Sequence, residues 1–220
     1  MVFAKIYSYP GNYRVLRAKV AAELNGLEVV DAEDFKMGVT NREPEFLAKF
    51  PQGKVPTLET PDGFCLAENI AICRFIAESG PAADQLNGAD ARTKAQINEW
   101  VAFCEAHIAV PLNFVGGVTL FKYIPHHEGI YNMTVSEFEK GVQRVEAALA
   151  GGKEYLVGEQ LTLADIMVVG VLYFSLSFLF DEEMRSKAPE TIRYLKALLE
   201  QPVFKNAFGE LKMVETRVKP

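Results

Sequence analysis

Several features that would assign the sequence to a broad class of protein are scarce or missing. Its 220 residues include only three cysteines, Cys65, Cys73 and Cys104. Three thiols cannot all pair, and their spacing fits neither a CxxC motif nor a metal site. Lys and Arg number 23 against 29 for Asp and Glu, a net charge of −6, which argues against a surface built to neutralise nucleic-acid phosphates. We therefore expect reduced thiols, no metal ion and no nucleic-acid partner.

The sequence also lacks an apolar run long enough to span a bilayer. The most apolar run, residues 166–180, has 15 residues and contains two serines, whereas a spanning helix needs about 20. The first residues do not show the basic and apolar segments of a secretory signal peptide. We expect a cytoplasmic protein with no membrane partner. Its 49% of apolar residues is enough for a sizeable core.

Residues 1–80 alternate the two periods that are typical of strands and helices,. The predicted strands are 5–9, 27–31, 55–59 and 64–66, and the predicted helices are 13–24, 44–50 and 68–78. The turn Thr60-Pro-Asp-Gly63 indicates that the last two strands form an antiparallel hairpin,. The order βαβ followed by ββα predicts a four-stranded mixed sheet flanked by helices, which is the thioredoxin-like layout.

The rest of the chain shows helical periodicity only,. We interpret residues 81–90 as a linker and residues 91–220 as an all-α domain, so the fold class is α/β followed by all-α. The predicted helices are 92–110, 135–150, 163–180 and 189–199. Residues 116–132 are too irregular to assign. Thr162 and Asp165 have the spacing of a capping box at the start of a buried helix,.

Two short segments of the first domain have the chemistry to bind a peptide-like ligand. Pro56 enters a predicted strand although proline cannot donate to a ladder,. A cis Val55–Pro56 bond would turn the Val55 backbone outward, where it can pair with an extended peptide. Glu68 and Asn69 start a helix, and a carboxylate beside helix N-terminal amides can hold a zwitterionic amino-acid head group.

Two basic residues lie close in sequence to these segments. Arg42 and Lys54 can pair with a carboxylate at the other end of such a ligand,. The alternative interpretation is a turn proline, a helix-start glutamate and solvated basic side chains. On the residues alone, both interpretations stay open.

The combination of these segments resembles a known family along the whole chain. Lys54-Val-Pro56, Glu68-Asn69 and Leu161-Thr-Leu-Ala-Asp165 are similar to motifs of the cytosolic glutathione transferases. Residues 38–56 resemble, more specifically, the amino-terminal domain of the gamma subunit of translation elongation factor one, as do residues 62–65, 155–159, 201–204 and 209–212. The resemblance implies a glutathione transferase fold, with glutathione as cosubstrate and no other cofactor.

The same resemblance gives six residues a part in binding glutathione. By this resemblance, Glu68 binds the γ-glutamyl amine, and Asn69 lies beside the γ-glutamyl carboxylate. The Val55 backbone, held by cis Pro56, pairs with the cysteinyl unit. The glycyl carboxylate is bound by Arg42 and Lys54. Transferases usually place serine where this chain has Asn69. We expect the asparagine to supply a donor in its place, with weaker binding.

The group that activates the glutathione thiol is less evident. Transferases use a hydroxyl or thiol donor from the loop after the first strand, and this loop reads Tyr7-Ser-Tyr-Pro-Gly-Asn-Tyr-Arg14,. The loop is about two residues shorter than in serine-type enzymes, so no residue aligns with their serine. Ser8, Tyr9 and Asn12 are candidate donors, and Arg14 could lower the thiol pKa by its charge.

Two functions of different classes follow from the resemblance. The first is an enzyme that conjugates glutathione to a hydrophobic electrophile, held by apolar residues of the helical domain. The second is a weakly catalytic or non-catalytic scaffold that docks the nucleotide-exchange subunit of the elongation factor complex. The sequence does not continue into the gamma subunit's lysine-rich linker and second domain, so it is either a piece of such a subunit or a stand-alone transferase. Because it ends where a transferase should end, we expect the enzyme. A homodimer is expected from the family.

Overall fold

The computed structural model describes all 220 residues, which form two units, Met1–Ala89 and Asp90–Pro220. The centre of the first unit is a four-stranded sheet in the order β2–β1–β3–β4. Its strands are β1 (Val2–Tyr7), β2 (Glu28–Asp31), β3 (Thr57–Glu59) and β4 (Cys65–Ala67). β1 pairs with β2 in parallel and with β3 antiparallel, and β3 pairs with β4 antiparallel. This topology confirms the predicted thioredoxin-like layout.

Four α-helices accompany the sheet. They are α1 (Tyr13–Leu24), α2 (Pro44–Lys49), α3 (Asn69–Glu78) and α4 (Ala83–Asn87). Successive strand residues point to opposite faces of the sheet, and Ala4, Ile6 and Leu58 are fully buried on one of them. Burial of this apolar face and of the α1–α3 contact stabilises the unit.

The predicted linker 81–90 is wrong in part, because it contains α4. Gly80 and Pro81 are typical of a turn, so the sequence did not indicate the short helix that follows them. This helix packs against α3, and its Leu86 is fully buried. Asn25 ties this segment to the end of α1, since its Oδ1 accepts the Ala82 N–H at 2.8 Å. A Cβ at Gly80 would lie 2.6 Å from the Asn25 side chain, so only glycine fits there,.

One buried hydroxyl of the sheet has no hydrogen-bond partner. Thr57 is 2% exposed, and its Oγ1 contacts no donor or acceptor. We expect Thr57→Val to stabilise the protein by about 1 kcal/mol, because the isosteric methyl group removes a desolvation penalty. Thermal unfolding checks this, with Thr191→Val as the matched control. The equally buried Thr191 hydroxyl donates to Glu146 at 2.8 Å, so its removal should destabilise; a loss of stability in both variants would contradict the prediction.

The second unit is all-helical, as predicted. Its helices are α5 (Ala91–Phe103), α6 (Val110–Thr119), α7 (Glu128–Ala148), α8 (Leu163–Leu176), α9 (Glu182–Ser186), α10 (Pro189–Leu199) and α11 (Pro202–Phe208). The sequence missed α9 and α11, which have five and seven residues and are too short for a clear period. The unassigned residues 116–132 include the end of α6 and the start of α7, where His127 is the N-cap.

A π-helical segment, Cys104–Ala109, joins α5 to α6. The predicted helix 92–110 therefore continues to Thr119 in spite of Pro111, because the wider turn accommodates a residue with no N–H. Helix α7 approaches this segment closely at Gly141, where a Cβ would lie 2.7 Å from the His107 carbonyl oxygen. The run Ala91–Thr119 is long and apolar enough to cross a membrane, but 61% of its most apolar window is buried inside the protein, which is typical of a core helix.

Helix α8 begins with the predicted capping box. Thr162 is the N-cap, and the Asp165 carboxylate accepts the Thr162 N–H at 2.8 Å. Leu161 and Ile166, on either side of the cap, are both buried. Since α8 is buried on nearly all sides, this cap sets where the central helix of the second unit starts.

Candidate functional site

The site predicted in the first unit lies where three strands end side by side. Tyr7 pairs with Thr57, and Thr57 pairs with Ala67. Continued by one residue, this register places Ser8, Pro56 and Glu68 in one row across the ends of β1, β3 and β4. The fold therefore brings together one residue from each of the three segments that the sequence singled out.

Two features of the row agree with a ligand-binding edge. The Val55–Pro56 peptide bond is cis, as predicted. The sheet ladder ends at Thr57, so the half-exposed Val55 lies beyond the last ladder pair. An extended peptide that ran along this edge would meet the Val55 backbone.

Glu68 adopts an unusual backbone conformation. Its φ is 70° and its ψ is 120°, at the N-cap position of α3, and its side chain is exposed. A positive φ in a residue other than glycine costs about 1–3 kcal/mol and is concentrated at functional sites. As the N-cap residue, Glu68 directly precedes the first N–H groups of α3, which have no partner within the helix, and its side chain makes no hydrogen bond to them,. Together, the carboxylate and these amides offer one group for an amine and one for a carboxylate.

The Asn69 side chain differs from the expectation that it would supply a donor to the ligand. It is 7% exposed, and its Oδ1 accepts from Arg17 Nη1 at 3.0 Å. Its Nδ2 donates to the Arg14 carbonyl at 2.9 Å and approaches Cys73 Sγ at 3.5 Å. The Asn69 side chain therefore ties α1 to α3.

The two predicted basic residues lie at neighbouring points of the same unit. Arg42 and Lys54 are both exposed. A Cβ at Gly53 would lie 3.7 Å from Arg42 Nη1 and 2.7 Å from the Asn41 carbonyl oxygen. The Arg42 guanidinium thus lies near Gly53, which directly precedes Lys54. We call these two exposed cations, just before Val55 in the chain, the positive edge.

Asn41 holds this positive edge in place, and sequence reasoning missed it. Its side chain is fully buried, with Oδ1 accepting the Gly38 N–H at 2.6 Å and Nδ2 donating to the Gly53 carbonyl at 2.7 Å. Asparagine is known for local side-chain to backbone bonds. Nothing in the sequence, however, links it to a carbonyl twelve residues away.

The four candidates for thiol activation have different surroundings. Asn12 is buried, caps α1 by accepting the Arg14 N–H at 3.1 Å, and donates to Ser8 Oγ at 2.9 Å. The Arg14 guanidinium lies 4.6 Å above the Tyr13 ring. Tyr9 is 38% exposed. Ser8 is half-exposed and is the candidate that stands in the row with Pro56 and Glu68.

Tyr7 precedes these candidates, but its hydroxyl is committed elsewhere. It donates to Glu59 Oε2 at 2.7 Å, and Glu59 also accepts from Lys49 Nζ at 2.6 Å. Burial, followed by the bond to Glu59, raises the pKa of Tyr7, while the bonds from Lys49 and Tyr7 lower the pKa of Glu59. The ring packs against Phe46 and Phe50. Tyr7 thus fastens α2 to the sheet and stays protonated at neutral pH.

Chemically, this edge combines an exposed carboxylate, free helix amides, a backbone segment outside the ladder and two cations. These groups match a short, extended, zwitterionic peptide with a second carboxylate at its far end. Ser8, which is half-exposed, follows the last residue of β1 and so adjoins the same edge, with Pro56 between it and Glu68 when the register is continued.

Comparison with known proteins finds two matching family models. The family model described as "Glutathione S-transferase, N-terminal domain" matches residues 4–78, and that described as "Glutathione S-transferase, C-terminal domain" matches residues 119–202. Glutathione S-transferase-like protein FUS3 of Gibberella moniliformis is 35% identical over 219 residues, which covers 98% of this chain and 96% of that protein. Elongation factor 1-gamma of Homo sapiens is 34% identical over 218 residues, but the chain spans only 48% of that protein's length.

Solved structures show the same fold at lower identity. The GST-like domain of elongation factor 1-gamma from Saccharomyces cerevisiae superposes with a TM-score of 0.82 at 21% identity, covering 100% of this chain and 99% of that one. The glutathione transferase URE2P6 from Phanerochaete chrysosporium, solved in complex with oxidized glutathione, has a TM-score of 0.83 at 18% identity and covers 94% and 95%.

Proposed function

Since this chain belongs to the glutathione S-transferase family, we propose that it binds glutathione in its first unit and conjugates it to electrophilic small molecules. The observation that carries the proposal is Glu68, an exposed carboxylate at a positive φ, in one row with cis Pro56 and Ser8. Glu68 holds the γ-glutamyl amine. The amides of α3 hold the γ-glutamyl carboxylate, and the Val55 backbone pairs with the cysteinyl unit.

The glycyl end of glutathione is held by charge. Its carboxylate meets Arg42 and Lys54, which Asn41 and Gly53 keep together. Exposed ion pairs are weak singly, so we expect this end to contribute less to affinity than the Glu68 end. The protein acts in the cytoplasm as a homodimer and needs no cofactor besides glutathione as cosubstrate.

The reaction needs the thiol to lose its proton. The proton leaves to solvent, and a hydrogen bond from the Ser8 hydroxyl stabilises the thiolate. The sulfur then forms a bond to the electrophilic carbon of a hydrophobic substrate, and the leaving group departs with its bonding electrons. Conjugation of a generic aryl halide and retention on immobilised glutathione test the proposal. A protein that binds glutathione but never accelerates conjugation would refute the enzymatic part.

Ser8→Ala and Tyr7→Phe separate the serine from the neighbouring tyrosine. We expect Ser8→Ala to lower kcat by about 10- to 100-fold, the range that corresponds to a hydrogen bond to a charged group. Tyr7→Phe should change kcat by less than about threefold, under 1 kcal/mol, because its hydroxyl already donates to Glu59. Steady-state kinetics with the aryl halide measure both. The reverse order of effects would assign activation to Tyr7.

A second function is favoured by one observation, the 34% identity to elongation factor 1-gamma over 98% of this chain. In this alternative, the chain docks the exchange-factor subunit of the elongation factor complex, with glutathione chemistry secondary. A pull-down with that subunit tests it. Glutathione binding and docking of the subunit are measured separately, so each of the two functions can be supported or refuted without the other.

A further inference from the structure

The side chains of Ser8 and Asn12 are joined by a hydrogen bond whose direction is fixed. Asn12 is 2% exposed, and one end of its amide lies 3.1 Å from the Arg14 backbone N–H. An N–H can only donate, so that end is the oxygen and the other end is the NH₂ group. Asn12 Nδ2 must therefore donate to Ser8 Oγ, at 2.9 Å.

This direction determines where the Ser8 hydrogen can point. A serine hydroxyl has one hydrogen and two lone pairs. Because one lone pair accepts from Asn12, the hydrogen is directed away from Asn12 and is left for another acceptor. We infer that Asn12 is a positioning residue, which orients the Ser8 hydroxyl to donate to the glutathione sulfur. The inference rests on the proposed function.

The neighbouring groups do not offer the same orientation. Tyr7 is the last residue of β1, and its hydroxyl already donates to Glu59. Arg14 contributes the N–H that fixes the Asn12 amide, while its guanidinium lies over Tyr13. Two of the candidates that the sequence left open thus have different parts: Ser8 touches the sulfur, and Asn12 acts through Ser8.

Asn12→Asp tests this part without removing the helix cap. Aspartate caps helices as well as asparagine does, and its carboxylate still accepts the Arg14 N–H. It offers only acceptors, however, so the Ser8 hydroxyl will donate to it and be lost to the ligand. We expect the pH midpoint for ionisation of the bound glutathione thiol, followed by ultraviolet thiolate absorption, to rise by about one pH unit. We expect kcat at neutral pH to fall about tenfold, with KM for glutathione and the unfolding temperature almost unchanged.

The new carboxylate also carries a charge, which by itself disfavours a nearby thiolate. The same substitution in a Ser8→Ala background separates the two effects. If Asn12 acts through Ser8, Asn12→Asp shifts the midpoint in the wild type but adds little in Ser8→Ala. An equal shift in both backgrounds would mean that charge alone acts and would overturn the inference.

The remaining outcomes distinguish this inference from the proposed function. Suppose that the wild type lowers the pH midpoint of the glutathione thiol and that Asn12→Asp has the same midpoint. This result overturns the positioning role of Asn12 and leaves glutathione conjugation standing. A wild type that binds glutathione without lowering the midpoint overturns thiol activation and the inference together. A wild type that does not bind glutathione overturns the proposed function itself.

Discussion

Replacing Glu68 by glutamine or alanine is expected to weaken glutathione binding by about 100-fold or more. We expect bound glutathione to cover the Glu68 carboxylate, and removing one partner of a buried, hydrogen-bonded charge pair typically costs 2–5 kcal/mol; about 3 kcal/mol corresponds to that factor. Calorimetric titration measures the loss, and retention on immobilised glutathione should disappear in parallel. Glu78→Gln is the matched control, since Glu78 is exposed at the other end of α3. Equal binding by wild type and Glu68→Gln would place the ligand elsewhere.

Glu68→Gly separates binding from stability at the same position. Glycine adopts a φ of 70° without penalty, so this variant should be more stable than the wild type by about 1 kcal/mol. It should nevertheless lose glutathione binding as fully as Glu68→Gln, because the carboxylate is gone. A stability loss in Glu68→Gly would show that the side chain has a structural part in the fold.

Replacing Asp165 by alanine is expected to destabilise the protein by about 3 kcal/mol. Asp165 is fully buried and accepts from the Leu156 N–H at 2.9 Å, from the N–H and the hydroxyl of Thr162 at 2.8 and 3.1 Å, and from the Tyr194 hydroxyl at 2.8 Å. Alanine leaves these buried donors without an acceptor, at about 1–3 kcal/mol each before relaxation. Thermal unfolding should show a midpoint lower by about 6–12 °C.

Two further variants are controls for the Asp165→Ala prediction. Thr162→Ala removes the hydroxyl of the same cap and should cost about 1 kcal/mol. Asp84→Ala removes an exposed acid from the first turn of α4 and should change stability by less than about 0.5 kcal/mol. If Asp165→Ala costs no more than Thr162→Ala, the shared carboxylate is not what holds the start of α8.

Local patterns made the first unit's layout predictable from the sequence. Alternating periods and turn residues give the order of strands and helices, and the βαβ and hairpin rules then leave few topologies. The cap formed by Thr162 and Asp165 was equally predictable, because the two residues are only three positions apart in the sequence. The ends of the strands and helices were less predictable. Strand β1 begins at Val2 rather than at residue 5, and α7 begins at Glu128 rather than near residue 135.

Contacts between distant segments were not predictable from one sequence. The Asn41 bond to Gly53, the Tyr7 bond to Glu59 and the inward turn of Asn69 depend on packing that no local pattern encodes. Arg17 is the instructive exception. It lies four residues after Tyr13 and three before Val20, both buried, so helical spacing places it on the buried face of α1. The spacing indicates a core position for Arg17, but its charge is typical of a surface residue.

Titration of reduced glutathione into the wild-type protein, followed by calorimetry, tests the central claim most directly. The row of Ser8, Pro56 and Glu68, with the Arg42 and Lys54 edge, predicts saturable binding of one glutathione per chain with a Kd below about 1 mM, a free energy of about −4 kcal/mol or better. The absence of any binding heat at millimolar glutathione would contradict the account, and the scaffold function would take its place.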